Sequence, residues 1–504
     1  MPKPTPSDDL SPRATTDVEP APRAPAAAPL GDDALRAVVR RMEEVRERTL
    51  TLIAPLDWAL LRKQHIPILS PMVWDLGHIG NFEEMWLLER PFGVAWLRPE
   101  YERMFDAVEN PRPTREALPL PNRGELFSYL ATVREKVVTH LHDPGALARE
   151  PRLLRDGFVY ELVAEHEEQH QETLLQAMQA MDGPFYQPAL RRSLPAGPRL
   201  AADATAPGDD MVTIPAGPFL MGRDDSSRDS GHDAGHDAQG PDAFAYDNEQ
   251  RAHEVDLPAF RIDVTPVTNR AYRAFVNDGG YERRSLWGDE GWAWRSEAGA
   301  VAPLYWLAPG EAAPEGAEVA AGADVERWRA RRFGRVLALD PAEPVMHVSY
   351  WEARAYARWA GKRLPSEAEW EKAALWDPRA GRSRRYPWGD ELPGREGAAP
   401  RANVDQLAFG PSRVGAYPAG VSAYGLHNLV GDVWEWTASD FTAYPGFSAY
   451  PYPEYSEIFF GDEYKVLRGG SWATRPRLAR GTFRNWDFPI RRQIFSGFRC
   501  AADV

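Results

Sequence analysis

The sequence predicts a two-domain α+β protein: a helical bundle, then a larger domain of short strands and many loops. Three observations predict it. Helix-periodic apolar patterning runs from Asp33 to about Leu194. A Pro/Ala/Gly-rich stretch around 195–209 interrupts that pattern. From Met211 onward the texture changes to Gly, Trp and Pro with short alternating runs. With 504 residues, each half has enough chain for a core of its own.

In chain order, residues 1–30 are rich in Pro, Ala and charge and read as a disordered tail. A bundle is expected over 31–197, with helices from Leu35 to Ile53, Ser70 to Glu89, Arg123 to His142 and Gly157 to Met181. Such segments with short to medium connections suit an up-and-down four-helix bundle, whose facing side chains can build a metal site in the interior. Residues 198–210 read as a linker to a second domain over 211–504. There, Met211 to Gly217 is an opening strand and turn, and Trp351 to Leu375 is a helical interlude. The acidic stretch near 223–250 and the Ala/Gly/Glu-rich stretch near 308–325 read as low-complexity insertions. His232 and His236, in the first of these, fit a surface loop better than a metal site.

Composition excludes several classes. A net charge of −15 with no compact Lys/Arg cluster argues against a nucleic-acid surface. The single cysteine, Cys500, rules out an intramolecular disulfide or a cysteine-rich metal site and fits a reducing compartment. There is no secretory pattern at the N-terminus and no run of about 18 apolar residues. A soluble, cytoplasmic protein without membrane contact is expected. Neither half shows a coiled-coil seam, so a monomer is the default. The 18 tryptophans serve packing first, although such rings can also box a cationic ligand.

The densest chemical signal is Glu165-His166-Glu167-Glu168-Gln169-His170-Gln171-Glu172. On a helix, His166 and His170 project from one face a turn apart, where two imidazoles can close on one metal ion. A charge-rich, solvated helix face is the ordinary alternative. His78, within the apolar segment Pro71 to Gly80, is a third candidate in the same domain and tips the balance toward metal. Imidazole suits iron, zinc and copper alike, so the ligand set leaves the metal open. Glu165 and Glu172 are possible carboxylate ligands, read here as supporting or surface charge.

The C-terminal half resembles the formylglycine-generating-enzyme/sulfatase-modifying-factor fold, a loop-rich relative of C-type lectins. The resemblance rests on Thr265-Pro266-Val267-Thr268-Asn269, Pro344-Val345-Met346-His347-Val348-Ser349-Tyr350, Arg363-Leu364-Pro365-Ser366-Glu367-Ala368-Glu369-Trp370-Glu371, Tyr386-Pro387-Trp388-Gly389, Gly431-Asp432-Val433-Trp434-Glu435-Trp436, Leu467-Arg468-Gly469-Gly470-Ser471-Trp472 and Gly497-Phe498-Arg499-Cys500. The N-terminal half resembles a DinB-like four-helix bundle. In this order, and with Ser70 to His78 and Arg484 to Gln493, the two resemble the actinobacterial hercynine oxygenases of ergothioneine biosynthesis, non-haem iron sulfoxide synthases. Formylglycine generation needs a pair of active-site cysteines, and Cys500 stands alone, so that chemistry is not expected to follow the fold.

The resemblance implies an Fe(II) ion on His78, His166 and His170, with O2 as co-substrate, coupling hercynine to γ-glutamylcysteine. It implies that Gln169 meets the hercynine carboxylate and that Asn485 and Trp486 meet its betaine end. Arg112 and Arg115 are then expected to grip carboxylates of the sulfur donor, with Asp487 for its amine and Arg491 for a carboxylate. A tyrosine near the metal is the family's expected proton donor. The loop 444–455 holds the candidates, of which Tyr444 and Tyr450 are singled out. Two other readings stand beside this one. The same chemistry is conceivable with cysteine, a histidine lacking methyl groups, or a selenium donor. A non-catalytic binding module would instead be indifferent to the three histidines.

Overall fold

In the computed structural model the described residues are 31–142, 150–154, 157–181, 186, 210–223, 244–393 and 399–504. The expected tail, the linker apart from Asp210, and both His232 and His236 lie outside them.

Helices α1 (Asp32–Ile53), α2 (Met72–Glu84), α3 (Arg123–Leu141) and α4 (Phe158–Ala180) form the bundle. Sequence accounts for where they begin. Asn122 caps α3 and Glu125 returns the bond to its backbone, a reciprocal capping box. Pro71 precedes α2, where a missing N–H costs nothing, and Gly157 enters α4 in the left-handed region at φ 74°. Helix α2 ends in a π-helical turn over Met85–Glu89. It packs against both α3 and α4, and α1 packs along α4.

The second domain opens with β1 (Met211–Ile214) and β2 (Gly217–Met221). Strand β2 pairs antiparallel with β3 (His253–Leu257), while β1 pairs with β4 (Phe260–Asp263). A side sheet holds β5 (Trp306–Leu307), β6 (Glu318–Val319), β7 (Arg329–Arg332) and β8 (Arg335–Ala338) in the order β5-β7-β8-β6. A short ribbon joins β9 (Trp376–Asp377) to β10 (Arg382–Ser383). The central sheet contains β11 (Trp434–Phe441), β12 (Gly461–Arg468), β13 (Asn485–Asp487) and β14 (Ser496–Gly497), ordered β13-β12-β11-β14. The last strand, β15 (Ala501–Asp503), returns to β4, so both ends of this domain close one three-stranded sheet.

Three expectations need correction. The helical interlude is two helices, Tyr350–Trp359 and Glu367–Leu375, broken at Gly361 (φ 67°) and restarted by a capping box between Ser366 and Glu369. The 308–325 stretch contributes β6 to the side sheet through parallel pairing with β8. The end of the acidic stretch, 244–249, is core: every residue there is buried. Polar composition hid it, because the aromatic pair Phe244 and Tyr246 supplies the apolar surface. One contiguous apolar cluster runs from the bundle through Phe244 and Tyr246 into Trp434, Trp436 and Phe483 of the second domain.

Candidate metal centre between the domains

The bundle brings His78 of α2 against His166 and His170 of α4. Their ring centroids are 4.6–5.0 Å apart, and one ligand nitrogen from each falls within 4.8 Å of the other two. Among the described residues this is the cluster of metal-ligating side chains that the fold assembles. The Nε2 atoms of His78 and His166 are 3.2 Å apart. Two nitrogens about 2.1 Å from one ion and at right angles would stand about 3 Å apart, so the pair fits a shared metal.

Two of the rings are held from behind by hydrogen bonds. His78 Nδ1 lies 2.7 Å from the Phe105 carbonyl, and His170 Nδ1 lies 3.1 Å from Asp75 Oδ1. These partners place the proton on Nδ1 and leave Nε2 to ligate. His78 also stacks on Trp74, and His166 lies flat on Phe82 with centroids 3.7 Å apart. Burial and the neighbouring imidazoles push His78 and His166 well below the ordinary histidine range, so both are neutral donors at physiological pH. All three side chains keep partial exposure, as a site that must admit substrate requires.

The second domain supplies an aromatic wall. Tyr452 packs 5.0 Å from Trp86 and edge-on to Phe82, the ring that covers His166. Tyr455 stacks on Tyr246 at 4.2 Å and meets Trp486 edge-on at 5.7 Å. Gln169, on α4 between the two histidines, is 2.8 Å from the Tyr246 hydroxyl. Asn485 and Trp486 lie on β13; the indole stacks on Phe441 at 4.1 Å and the Asn485 side chain accepts from the Trp486 amide.

A cationic corner adjoins this wall. Asp487 and Arg491 pair at 3.3 Å. Arg112 is exposed, whereas Arg115 is buried over the Trp74 ring. All three nitrogens of Arg115 are engaged, by Ser70 Oγ (2.7 Å) and the carbonyls of Asn110 and Ala107. Burial and the Arg112 charge lower Arg115 to about 10; Arg491 is also lowered to about 10 by burial, assisted by Arg112 and opposed by Asp487. The corner therefore favours anions.

Both domains match known families. A model of the sulfatase-modifying factor enzyme 1-like domain matches residues 198–504, and a DinB superfamily model matches 41–174. The hercynine oxygenase of Mycolicibacterium thermoresistibile is 44% identical over 473 residues, covering 93% of this chain and 95% of that protein. That of Mycobacterium tuberculosis is 43% identical over 471 residues, covering 92% and 98%. This chain belongs to the hercynine oxygenase family. The formylglycine-generating enzyme of Thermomonospora curvata is 35% identical over 341 residues, covering 61% of this chain and 97% of that enzyme. In this member of the hercynine oxygenase family the lone Cys500 is fully buried in the core, and burial pushes its thiol well up, so it is a packing residue.

The two tyrosines singled out from the sequence lie elsewhere. Tyr444 sits in a separate apolar cluster with Phe219 and Met221, and its hydroxyl donates to Glu367. Tyr450 packs on Phe158 at the start of α4. The structure brings Tyr452 and Tyr455 to the wall instead. The 444–455 loop gives no periodicity from which a tyrosine's direction follows, so only its path across the bundle separates these four rings. Tyr246 was missed for a different reason: it follows a stretch whose composition reads as an insertion.

Proposed function

We propose that this chain is an iron(II)- and dioxygen-dependent sulfoxide synthase, acting as a cytoplasmic monomer in ergothioneine biosynthesis. It joins the imidazole C2 of hercynine to the sulfur of γ-glutamylcysteine and leaves one oxygen on that sulfur. Family membership supports this reaction. The observation that carries it here is the three-imidazole cluster facing both an aromatic wall and a cationic corner.

His78, His166 and His170 would hold the metal. Iron(II) held there supplies the redox chemistry: four electrons pass from the two substrates to dioxygen, one oxygen ending on sulfur and the other in water. The chain's own residues bind and orient. Trp486 and Tyr455 supply aromatic surface suited to a trimethylammonium, which donates no hydrogen bonds. Gln169 meets the carboxylate of the same substrate. Exposed Arg112 grips a donor carboxylate, Arg115 adds its charge from beneath, and Asp487 with Arg491 receives the amine and the second carboxylate. Holding both substrates beside the histidines makes the coupling effectively intramolecular. Tyr452, whose ring meets the one covering His166, is the proton donor that favours coupling over thiol oxidation.

The experiment is anaerobic loading with iron(II), then oxygen uptake and mass spectrometry with hercynine and γ-glutamylcysteine together. A coupled product carrying one sulfoxide oxygen establishes the activity; cysteine and a selenium donor, offered in parallel, identify the donor. Oxygen uptake that yields only oxidised thiol removes hercynine as acceptor. A chain that takes up no iron returns it to the binding-module reading.

A further inference from the structure

Helix α4 carries its histidines on one side and a stripe of acids on the other. Glu161, Glu165, Glu168 and Glu172 recur at steps of four, three and four residues, so they form a line along the helix. His166 and His170 fall on the far side, toward His78. All four carboxylates are buried, an expensive location for a charge that lacks partners. Arg41 of α1 serves Glu161 and Glu168, at 3.1 and 2.7 Å. The second domain serves the rest of the line, mainly from the segment 471–480. Arg480 Nη1 binds Glu165 at 2.7 Å and Arg475 Nε binds Glu168 at 3.2 Å. Glu172 accepts three bonds of 2.8 Å each, from Ser471 Oγ, Thr474 Oγ1 and Trp434 Nε1.

The segment is itself stiffly delivered. Gly469 and Gly470 turn it off β12 at φ 91° and 76°, and a Cβ on Gly469 would meet the Leu429 carbonyl at 2.4 Å. Beyond the turn, the Ser471 amide donates to Thr474 Oγ1 at 2.9 Å, and the Thr474 amide to the Ser471 carbonyl. Apolar contacts alone tolerate small rotations and slides of a helix. Three directional bonds on one buried carboxylate do not. A metal site needs its ligands within about 0.5 Å of the productive geometry, so the register of α4 is a chemical variable.

We propose that the 471–480 segment of the second domain positions the metal centre, with Glu172 as its principal anchor. By fixing the rotation and axial register of α4, it sets where His166 and His170 stand relative to His78. Glu172, Ser471 and Thr474 are positioning residues that act through the helix. The inference rests on the proposed function only in taking the three histidines as metal ligands.

The test uses the full-length chain, freed of metal, with cobalt(II) as a spectroscopic probe. The pair Ser471→Ala/Thr474→Val removes two of the three donors at little change in volume. We expect a folded variant with cobalt affinity weakened about tenfold or more, an altered visible cobalt spectrum, and a lower kcat with KM for both substrates within about twofold. Glu172→Ala behaves likewise, whereas Glu172→Gln can still accept from Trp434 and Ser471 and donate to Thr474, and so keeps the parental affinity and spectrum. Should Glu172→Ala or the double variant fail to fold, Thr474→Val alone provides the comparison. Unchanged affinity and spectrum in the folded variants overturn the proposal, as does a Gln variant as impaired as the Ala variant. If the parental chain binds cobalt no better than His78→Ala, the metal reading falls and this inference with it; if it does bind and the variants match it, only this inference falls.

Discussion

Asp75 and the Phe105 carbonyl each hold one ring nitrogen of a histidine, so each decides where a ligand atom points. Partners of this kind are worth about 10–100-fold in metal affinity. Asp75→Asn, which keeps an acceptor but loses the charge, should weaken iron(II) or cobalt(II) binding about tenfold, and Asp75→Ala about a hundredfold, by direct titration. Tyr452→Phe should leave metal affinity unchanged and shift product from coupled sulfoxide toward oxidised thiol; mass spectrometry of the product mixture checks this. Tyr444→Phe loses a hydrogen bond to Glu367, away from the histidines, and should leave that product ratio where it was. The histidines were legible in the sequence because helical spacing alone brings His166 beside His170. Which tyrosine of the 444–455 loop reaches the wall was not, because the direction of a side chain in an irregular loop depends on what the loop packs against.

At the level of elements, α2 carries both His78 and two glycines against which neighbouring side chains pack closely. A Cβ built on Gly77 meets the Phe105 ring at 2.1 Å, and one on Gly80 meets Leu130 at 2.5 Å. These glycines let the chain around Phe105 and helix α3 approach α2 closely. Phe105 itself is fully buried between Trp74 and Tyr101 and cannot swing aside. Gly77→Ala should therefore destabilise the protein by about 1–3 kcal/mol in chemical denaturation, despite a gain of about 1 kcal/mol in helix propensity. Because the Phe105 carbonyl braces His78, the same variant should also weaken metal binding. Helix positions in the bundle follow apolar periodicity and caps, which are local. The split of the 351–375 interlude is local too, carried by Gly361 and the Ser366–Glu369 capping box. The parallel pairing of β6 with β8 is not, because it depends on a partner strand outside the segment.

For the whole molecule, buried charge joins the two domains. Arg480 is enclosed between Glu165 of the bundle and Glu249 of the second domain, at 2.7 and 2.5 Å, with all three groups buried. Removing one partner of such a set leaves uncompensated charge, so Arg480→Met should cost about 3–5 kcal/mol and lower Tm markedly in calorimetry. Asp247 gives the molecule a pH signature. Burial raises its carboxyl from 3.8 to about 6, against the bonds it accepts from Ser456 and the Tyr450 amide. A carboxyl raised in the folded state contributes stability below its unfolded pKa, and that contribution is lost as pH climbs through the folded value. Between about pH 4 and 6 the parental chain should lose up to about 3 kcal/mol relative to Asp247→Asn, and the difference between the two denaturation curves isolates the effect. Among the described residues no helix is long and apolar enough to cross a membrane.

The sequence by itself determined the order of the two folds, the four bundle helices, the histidine pair on α4 and the absence of a second cysteine. Each of these is carried by periodicity, spacing, motif or count, none of which needs a distant neighbour. Only the tertiary structure decided that His78 meets that pair, that Tyr452, Tyr455 and Tyr246 line the wall, and that the acids flanking the histidines are anchored by the second domain. In sequence, Glu165, Glu168 and Glu172 look like the solvated face of a surface helix. The arginines and hydroxyls that make them interior lie some three hundred residues away, and burial is a property of what packs on a residue, which local pattern does not carry.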